Sequence, residues 1–488
     1  MMLLSMLLPL AGALAIWCVP AGNRRALNAY TVLVLAASAA CCAAVALGAD
    51  RTVTVWRLTD NLSIALRNDG VSRLYLAFIS IVWVAVGVYA IGYNAHDPNP
   101  RRFDCFYIGT YGVLAGLSMS DNAVTLYMFY EMMTLITLPL VMHTMEKEAV
   151  AAGIKYLVYS VFGASTALLG IFFLAHYGTT LTFTPGGVLD MARVAGHEGL
   201  LRAIAFAMIL GFGVKAGMFP MHAWLPTAHP VAPAPASAVL SGVITKMGVL
   251  GVIRVIFYLM GVDFLKGTWV QTAFMALTLV TVFMGSLLAL REKQLKKRLA
   301  YSSVSQVSYV LFGLSTMSPL GLTGALLHVV CHSFIKNTLF MAAGAIIHQT
   351  GKTYVDDLTG VGKVMPRTLL AFTVVSLGLI GIPPTGGFVS KWYLAEGALS
   401  LGWSASWIGP AVLLCSALMT AAYLLTIVIH GFFPGDKPVV QGSRSGGEKG
   451  LRGGGAGIPQ CSSRGRPGFR GTLWVASRVP SALSTSNS

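Results

Sequence analysis

The stretch LGFGVKAGMFPMHAWLPTAHPVAPAPASAVLSGVITKMGVLGVIR, from Leu210 to Arg254, sets two lysines inside hydrophobic segments. Lys215 and Lys246 stand on either side of a turn rich in proline and histidine: Pro220, His222, Pro226, His229, Pro230, Pro233 and Pro235. If these segments cross a bilayer, each lysine costs roughly 2.5–3.5 kcal/mol at mid-depth on insertion scales, and such residues mark ion or proton routes. The composition supports a bilayer. Of the 488 residues, 55% are hydrophobic and 11% charged, with a mean hydropathy of +0.71, where soluble domains carry roughly 25% charge.

Working outward, apolar runs long enough to span roughly 30 Å of hydrocarbon recur from Met1 to about Phe433. The first, Met1–Pro20, has Arg24 and Arg25 after it and no basic residue before it. That is the reverse of a signal peptide, so it is expected to remain as a helix. Others lie near 26–48, 71–93, 105–120, 123–143, 154–176, 203–219, 235–260, 269–290, 300–316, 319–347, 369–398 and 409–433, which predicts an all-α polytopic membrane protein of about 13 transmembrane helices. Loops after odd-numbered segments, with the first turns that follow them, hold 14 Lys and Arg residues, and those after even-numbered segments hold seven. The positive-inside rule then puts the N-terminus outside the cell membrane.

Segments 7 and 12 are interrupted, the first by Gly211, Gly213, Gly217 and Pro220, the second by Gly378, Gly381, Pro383, Pro384, Gly386 and Gly387. Broken helices are tolerated in membranes where the freed backbone is buried or lines a cavity. A matched pair of breaks in oppositely running helices points to inverted repeats. The expected units are helices 1–3 over 1–100, a five-helix repeat over 101–262, an inverted copy over 263–433, and a Gly/Ser/Arg-rich tail over 434–488. From Lys437 onward the tail holds eight basic residues and one acid, a net of +7 out of +16. It cannot bury a core and is expected to be disordered. With the rest of the positive charge in short loops, nucleic acid is not an expected partner; the bilayer is.

Charged residues inside the other segments extend the pattern. Glu131 sits in AVTLYMFYEMMTLITLPLVM with about two apolar turns on each side, and a Glu131–Lys215 pair would make a proton acceptor tuned by its partner. His328, His332 and Lys336 are spaced i, i+4 and i+8 on one helix face, continuing toward Lys391. Either histidine alone would read as a satisfied core residue; the stripe reads as a wet proton path. A metal site does not fit, because no carboxylate accompanies the pair and Lys336 is no ligand. Arg254, near the end of its segment, is expected to snorkel to the interface, and REKQLKKR (291–298) reads as a cytoplasmic topology signal. The seven cysteines contain no C-x-x-C, so redox chemistry is expected on other chains.

With these residues in place, the chain resembles the antiporter-like subunits shared by respiratory complex I (NADH:quinone oxidoreductase), membrane-bound hydrogenases and multisubunit Na+/H+ antiporters. The motifs that carry the resemblance are Tyr130–Glu131, GVKAGMFPMHAWLPTAHPVAPAPASAVLSG, ITKMG, LAYSSVSQ at 299–306, HSFIKNTLFM and GIPPTGGFVSKWYL. It implies a mid-membrane hydrophilic axis of Glu131, Lys215, Lys246, His332 with Lys336, and Lys391. It also implies a fourteenth helix, where this chain has its basic tail. The function so implied is proton translocation driven by electron transfer on partner subunits that hold the flavin, Fe-S or NiFe centres and the quinone, with no cofactor on this chain. The alternative is a subunit of a Na+/H+ antiporter without redox partners, sodium being left open. A membrane-embedded transferase is the third reading, disfavoured because its catalytic residues would lie in surface loops and the unusual residues here lie mid-helix.

Overall fold

The structure, a computed structural model of the chain, describes residues 1–435 and 440 apart from 21, 60 and 61; apart from 434, 435 and 440, the expected disordered tail lies outside the described residues. The rest is a helical membrane protein. Each of the thirteen apolar stretches carries helix, starting with Met2–Ala15, Arg24–Ala46, Gly70–Tyr93, Pro100–Ser118, Ala123–Val141 and Lys147–Tyr177. Glu198–Ala216, broken from Leu225–Val231, leads to a continuous helical run over Ala234–Met260. Trp269–Arg291, Leu295–Ser315, Pro319–Thr350, Pro366–Ile380 with Gly386–Leu399, and Ile408–Phe432 complete it. Among the described residues, nine helices are long and apolar enough to cross a membrane, and Met2–Cys18 and Pro366–Ile380 are shorter apolar ones.

Local chemistry places the helix starts. Asp69, Asn122 and Ser318 accept from the amides of Ser72 (2.8 Å), Thr125 (2.8 Å) and Gly321 (3.1 Å) as N-caps. Pro100, Pro319 and Pro366 sit in first turns, where no donor is lost. The fourth helix accordingly begins at Pro100, earlier than its apolar run suggests.

Both expected breaks are present and share a design. Helix 198–216 stops at Gly217 (φ +81°) and helix 366–380 at Gly381 (φ +89°), each in the left-handed conformation that glycine permits. Pro220 and Pro384 follow three residues later in each. The Pro/His-rich stretch after the first break is more ordered than a turn, since residues 225–231 form a short helix. Two segments of the 234–260 run, Leu240–Ile244 and Val255–Met260, are π-helical. In the second, the carbonyls of Phe257, Tyr258 and Leu259 take bonds from the amides of Gly186 (3.1 Å), Thr184 (3.4 Å) and Val188 (2.8 Å), which explains the local loosening.

Three features depart from the sequence reading. Residues Thr52–Thr59 and Leu62–Arg67 pair as an antiparallel hairpin, signalled only by the alternation in TVTVW. Its second strand bonds onward to the 118–122 loop through Arg67 N to Met119 O and Asp121 N to Ala65 O. Arg254 does not snorkel. It is 1% exposed, pairs with Asp69 through Nη1–Oδ2 (2.5 Å) and Nη2–Oδ1 (3.0 Å), and faces the rings of Phe183 and Tyr258. The helix carries it toward the N-cap of 70–93, where a carboxylate is waiting, so an inward bond replaces the interface. In 291–298, Arg291 and Lys293 are exposed, but Lys296 and Arg298 turn inward. Lys296 Nζ donates to Ala232 O (2.8 Å), and Arg298 Nε to Glu292 O (2.7 Å) and Nη1 to Tyr423 O (3.2 Å).

Candidate functional site

Close glycine packing positions Lys215. At Gly163 a Cβ would stand 2.5 Å from the Gly211 carbonyl, and at Gly211 it would meet the Gly163 carbonyl equally closely, so helices 147–177 and 198–216 touch backbone to backbone there. That contact presents Tyr156 and Ser160 to Lys215 at the last turn before the break. Lys215 is fully buried, and its Nζ donates to Thr134 Oγ1 (2.8 Å), Tyr156 OH (2.9 Å) and Ser160 Oγ (2.9 Å). All three ammonium donors are thereby used. The Tyr156 ring also faces the charge at 4.4 Å, and Tyr156 passes a bond to Thr137 (2.7 Å).

Glu131 is not brought into direct contact with this cradle. It is half-buried on helix 123–141, beside Met132 and Leu135, which are exposed. Among the described residues it makes no salt bridge. The expected pair is therefore one of neighbouring charges, with hydroxyls taking the Lys215 bonds.

Lys246 is also fully buried. Its Nζ donates to Ser241 O within the first π-helical segment and reaches Thr245 Oγ1 at 3.5 Å. From helix 70–93, Tyr75 OH donates to the Lys246 carbonyl (3.1 Å). The Ser241 hydroxyl contacts Ser303 Oγ at 2.6 Å, linking this site to helix 295–315.

The spacing of His328, His332 and Lys336 holds as read: the three line one buried face of helix 319–350. Lys336 Nζ donates to Leu299 O (3.0 Å) and Ser302 Oγ. His328 Nδ1 meets Ser390 Oγ at 2.9 Å, and the two histidine rings stack at 5.8 Å. Among the described residues, neither ring nitrogen of His332, nor Nε2 of His328, has a hydrogen-bond partner. Lys391 bridges the second break: its Nζ donates to Leu379 O (2.6 Å) and Ile380 O (2.8 Å), the carbonyls left open where helix 366–380 ends. The Tyr309 ring faces Lys391 at 5.0 Å and stacks on His328 at 5.6 Å, so the line runs on from the stripe to the break. Pro220, Pro383 and Pro384 sit in the breaks as expected.

The supporting hydroxyls do not stand out in the sequence. Thr134, Tyr156, Ser160 and Ser390 leave no signal in an apolar pattern. LAYSSVSQ does leave one: Ser302 serves Lys336, Ser303 serves Ser241, and Ser305 bonds to Ser286 (2.8 Å) and Ser416 (3.2 Å). A run of small hydroxyls in a spanning helix is read best as packing that carries hydrogen bonds.

Fold and site together define a polytopic membrane protein with a buried line of lysines and histidines between two broken helices. Residues 120–420 match the family described as NADH:quinone oxidoreductase/Mrp antiporter, TM, and the chain belongs to it. It is 32% identical over 382 residues to the NADH-quinone oxidoreductase subunit N of Desulforudis audaxviator, covering 76% of this chain and 74% of that one. To the hydrogenase-4 component B of Escherichia coli it is 32% identical, over 69% of this chain and 51% of the relative. To a Na(+)/H(+) antiporter subunit of Bacillus subtilis it is 28% identical, over 77% and 74%. The fold is shared with a chain of the Mrp complex from Dietzia sp. DQ12-45-1b (TM-score 0.78, 23% identity, 91% of this chain and 80% of that one). It is also shared with a chain of the archaeal membrane-bound sulfane sulfur reductase (TM-score 0.77, 22% identity, 90% and 89%). The chain is thus an antiporter-like membrane subunit, related to subunits of oxidoreductases, hydrogenases and antiporters.

Proposed function

We propose that this chain translocates protons along Glu131, Lys215, Lys246, His328, His332, Lys336 and Lys391, as a membrane subunit of an NADH:quinone oxidoreductase-type or hydrogenase-type complex. A change of charge near Glu131 and Lys215 alters proton affinity at Lys246, then at the stripe, then at Lys391. Each step needs a shift of about one pKa unit in a neighbour, about 1.4 kcal/mol. The observation that carries the reading is the burial of Lys215, Lys246, His328, His332 and Lys336 with hydroxyl or carbonyl partners, or none, and, among the described residues, no carboxylate bound to any of them. The flavin, Fe-S or NiFe centres and the quinone belong, in this proposal, to partner subunits.

The same proposal takes all thirteen segments as spans of the cell membrane, with the N-terminus outside, residues 1–100 as three leading helices, and 101–262 and 263–433 as inverted copies. The matching glycine stops at Gly217 and Gly381 support the repeat. Similarity to the Bacillus subtilis Na(+)/H(+) antiporter protein supports the second reading, a cation/proton exchanger without redox partners.

Purification in mild detergent with mass spectrometry of co-purifying chains separates the two. Flavin, iron-sulfur or nickel-iron subunits place the chain in a redox-driven pump. Lys215→Ala should then stop proton transport while electron transfer continues. Small hydrophobic antiporter subunits alone establish the exchanger, and Lys215→Ala with unaltered proton transport overturns both readings.

A further inference from the structure

His229 belongs to none of the sites above, yet it is fully buried and, among the described residues, neither ring nitrogen has a hydrogen-bond partner. It lies in the short helix 225–231 behind the first break. Its ring stacks on Phe340 at 4.6 Å, and Lys336 Nζ lies 6.0 Å from the same Phe340 ring. On the other side, Lys296 Nζ donates to Ala232 O, the carbonyl at the end of the His229 helix (2.8 Å). Ser237 Oγ ties the ends together by donating to both His229 O (2.9 Å) and Ala232 O (3.3 Å). The charged groups acting on the ring are Lys336, Lys296 and Lys246, each from a different helix. No carboxylate is among them.

Helix 295–315 explains the alignment. Lys296, Leu299 and Ser302 fall at i, i+3 and i+6, on one side of the helix. Lys296 meets the 225–231 helix, while Leu299 O and Ser302 Oγ take Lys336. Lys296 stands next to the exposed end of that loop, where Arg291 and Lys293 are exposed. A buried imidazole without a partner is costly, and such groups are almost always satisfied, commonly by ordered water. The ring is held by stacking on Phe340, and both nitrogens are left open to water that could carry a proton.

We infer that His229 is a relay residue on a lateral branch, which carries protons from Lys296 at the loop end to Lys336 in the middle of the axis. Lys296 gives a proton through water to one ring nitrogen and is refilled from the aqueous side. The other ring nitrogen releases a proton to the neutral amine of Lys336. The inference rests on the translocation reading and deepens it by adding an uptake point beyond Glu131.

The test uses the purified full complex in liposomes with trapped pyranine, proton flux being driven by a valinomycin-set potassium potential. His229→Phe keeps the stacking on Phe340 and removes both nitrogens. Lys296→Arg keeps the charge and a donor for Ala232 O, but a guanidinium does not release its proton. Both variants should slow flux about tenfold or more, and the double variant should be no slower than the slower single one. A purely structural Lys296 would be rescued by arginine, and wild-type flux in Lys296→Arg overturns the relay. Wild-type flux in His229→Phe, with Lys215→Ala blocked, overturns the relay and leaves translocation standing. Unaltered flux in Lys215→Ala removes the translocation reading itself. Should His229→Phe not assemble, ring-proton exchange of the 15N-histidine-labelled wild type into D2O replaces it: a His229 ring whose exchange is no slower in Lys296→Arg overturns the relay.

Discussion

Replacing Asp69 by asparagine tests the most heavily buried ion pair among the described residues. Arg254 is 1% exposed and the Asp69 side chain 9%. Two charge-assisted bonds at 2.5 and 3.0 Å join them. Asparagine keeps an acceptor for the Ser72 amide, so the helix cap survives. It removes the charge and turns at least one donor toward the guanidinium. Leaving one partner of a buried pair uncompensated costs about 3–5 kcal/mol. The rings of Phe183 and Tyr258, 4.8 and 4.5 Å from the guanidinium, face the cation in both forms and so leave the difference unchanged. The expected loss is therefore about 3–5 kcal/mol. Arg254→Met should cost less, because Asp69 keeps two bonds from Ser72 at 2.8 Å. In a double-mutant cycle the combined variant should be no less stable than Asp69→Asn alone. Stability would be read from circular dichroism against SDS mole fraction in detergent. A loss below about 1 kcal/mol for Asp69→Asn, or single effects that simply add in the double variant, would refute the argument that burial makes this pair obligatory.

The same pair has a pH signature. Burial pushes the Asp69 carboxyl up, but the bonds and charge of Arg254 and the bonds from Ser72 outweigh it and hold the group below its ordinary 3.8. A depressed folded value gives stability that is complete above the unfolded value and lost as pH falls through the folded one, so wild type should lose a component of stability below about pH 4 that Asp69→Asn lacks, read by acid titration of the unfolding midpoint. Gly217→Ala should cost about 1–3 kcal/mol, since φ is +81° and the new Cβ would stand 2.5 Å from Leu225 Cδ1; wild-type thermal stability would contradict the strained stop. Tyr156→Phe removes one of three bonds at Lys215 and should cost about 1.5–3 kcal/mol there, measured as slowed proton flux with intact assembly, and unaltered flux would remove Tyr156 from the pathway. Lys391→Met should expose Leu379 O and Ile380 O, loosening helix 366–380, which amide exchange at residues 377–382 would report; unaltered exchange would show that the lysine does not hold the break.

What is legible in the sequence follows from which terms are large. Spanning helices announce themselves because about twenty apolar residues in a row are needed, and the breaks because Gly217 and Gly381 permit a left-handed stop and Pro220 and Pro384 lack the amide that would continue the helix. The lysines and histidines stand out because their burial is expensive. Pairing is not legible. Nothing near Arg254 in sequence points to Asp69, which lies 185 residues away, and an interface lysine looks the same in sequence as Lys296, whose acceptor is 64 residues distant. The hairpin at 52–67 is hidden by its brevity among long apolar runs. Glu131 and Lys215 read as one pair because opposite charges in hydrocarbon should meet. Three hydroxyls close to Lys215 satisfy it first.

The partners of these lysines carry a common logic. Lys391 is held by the carbonyls of a helix end, Lys246 by a carbonyl in a π-helical segment, Lys296 by the C-cap carbonyl of Ala232 after the 225–231 helix, and Lys336 by Leu299 O. Backbone irregularity thus supplies acceptors where the lysines need them, and the lysines supply donors where irregularity leaves carbonyls open. A carboxylate partner would serve an ammonium better, but it would hold the charged form and oppose release of the proton. A carbonyl accepts from an ammonium or from a neutral amine, so it keeps the nitrogen in place through both states. Lys215 reaches the same end with hydroxyls, which can also turn to donate to the neutral amine. Arg254, the most deeply buried arginine among the described residues, cannot give up its charge, and its partner is a carboxylate. The division between Arg254 with Asp69 and the lysines with carbonyls and hydroxyls is what separates a charge built to stay from charges built to change.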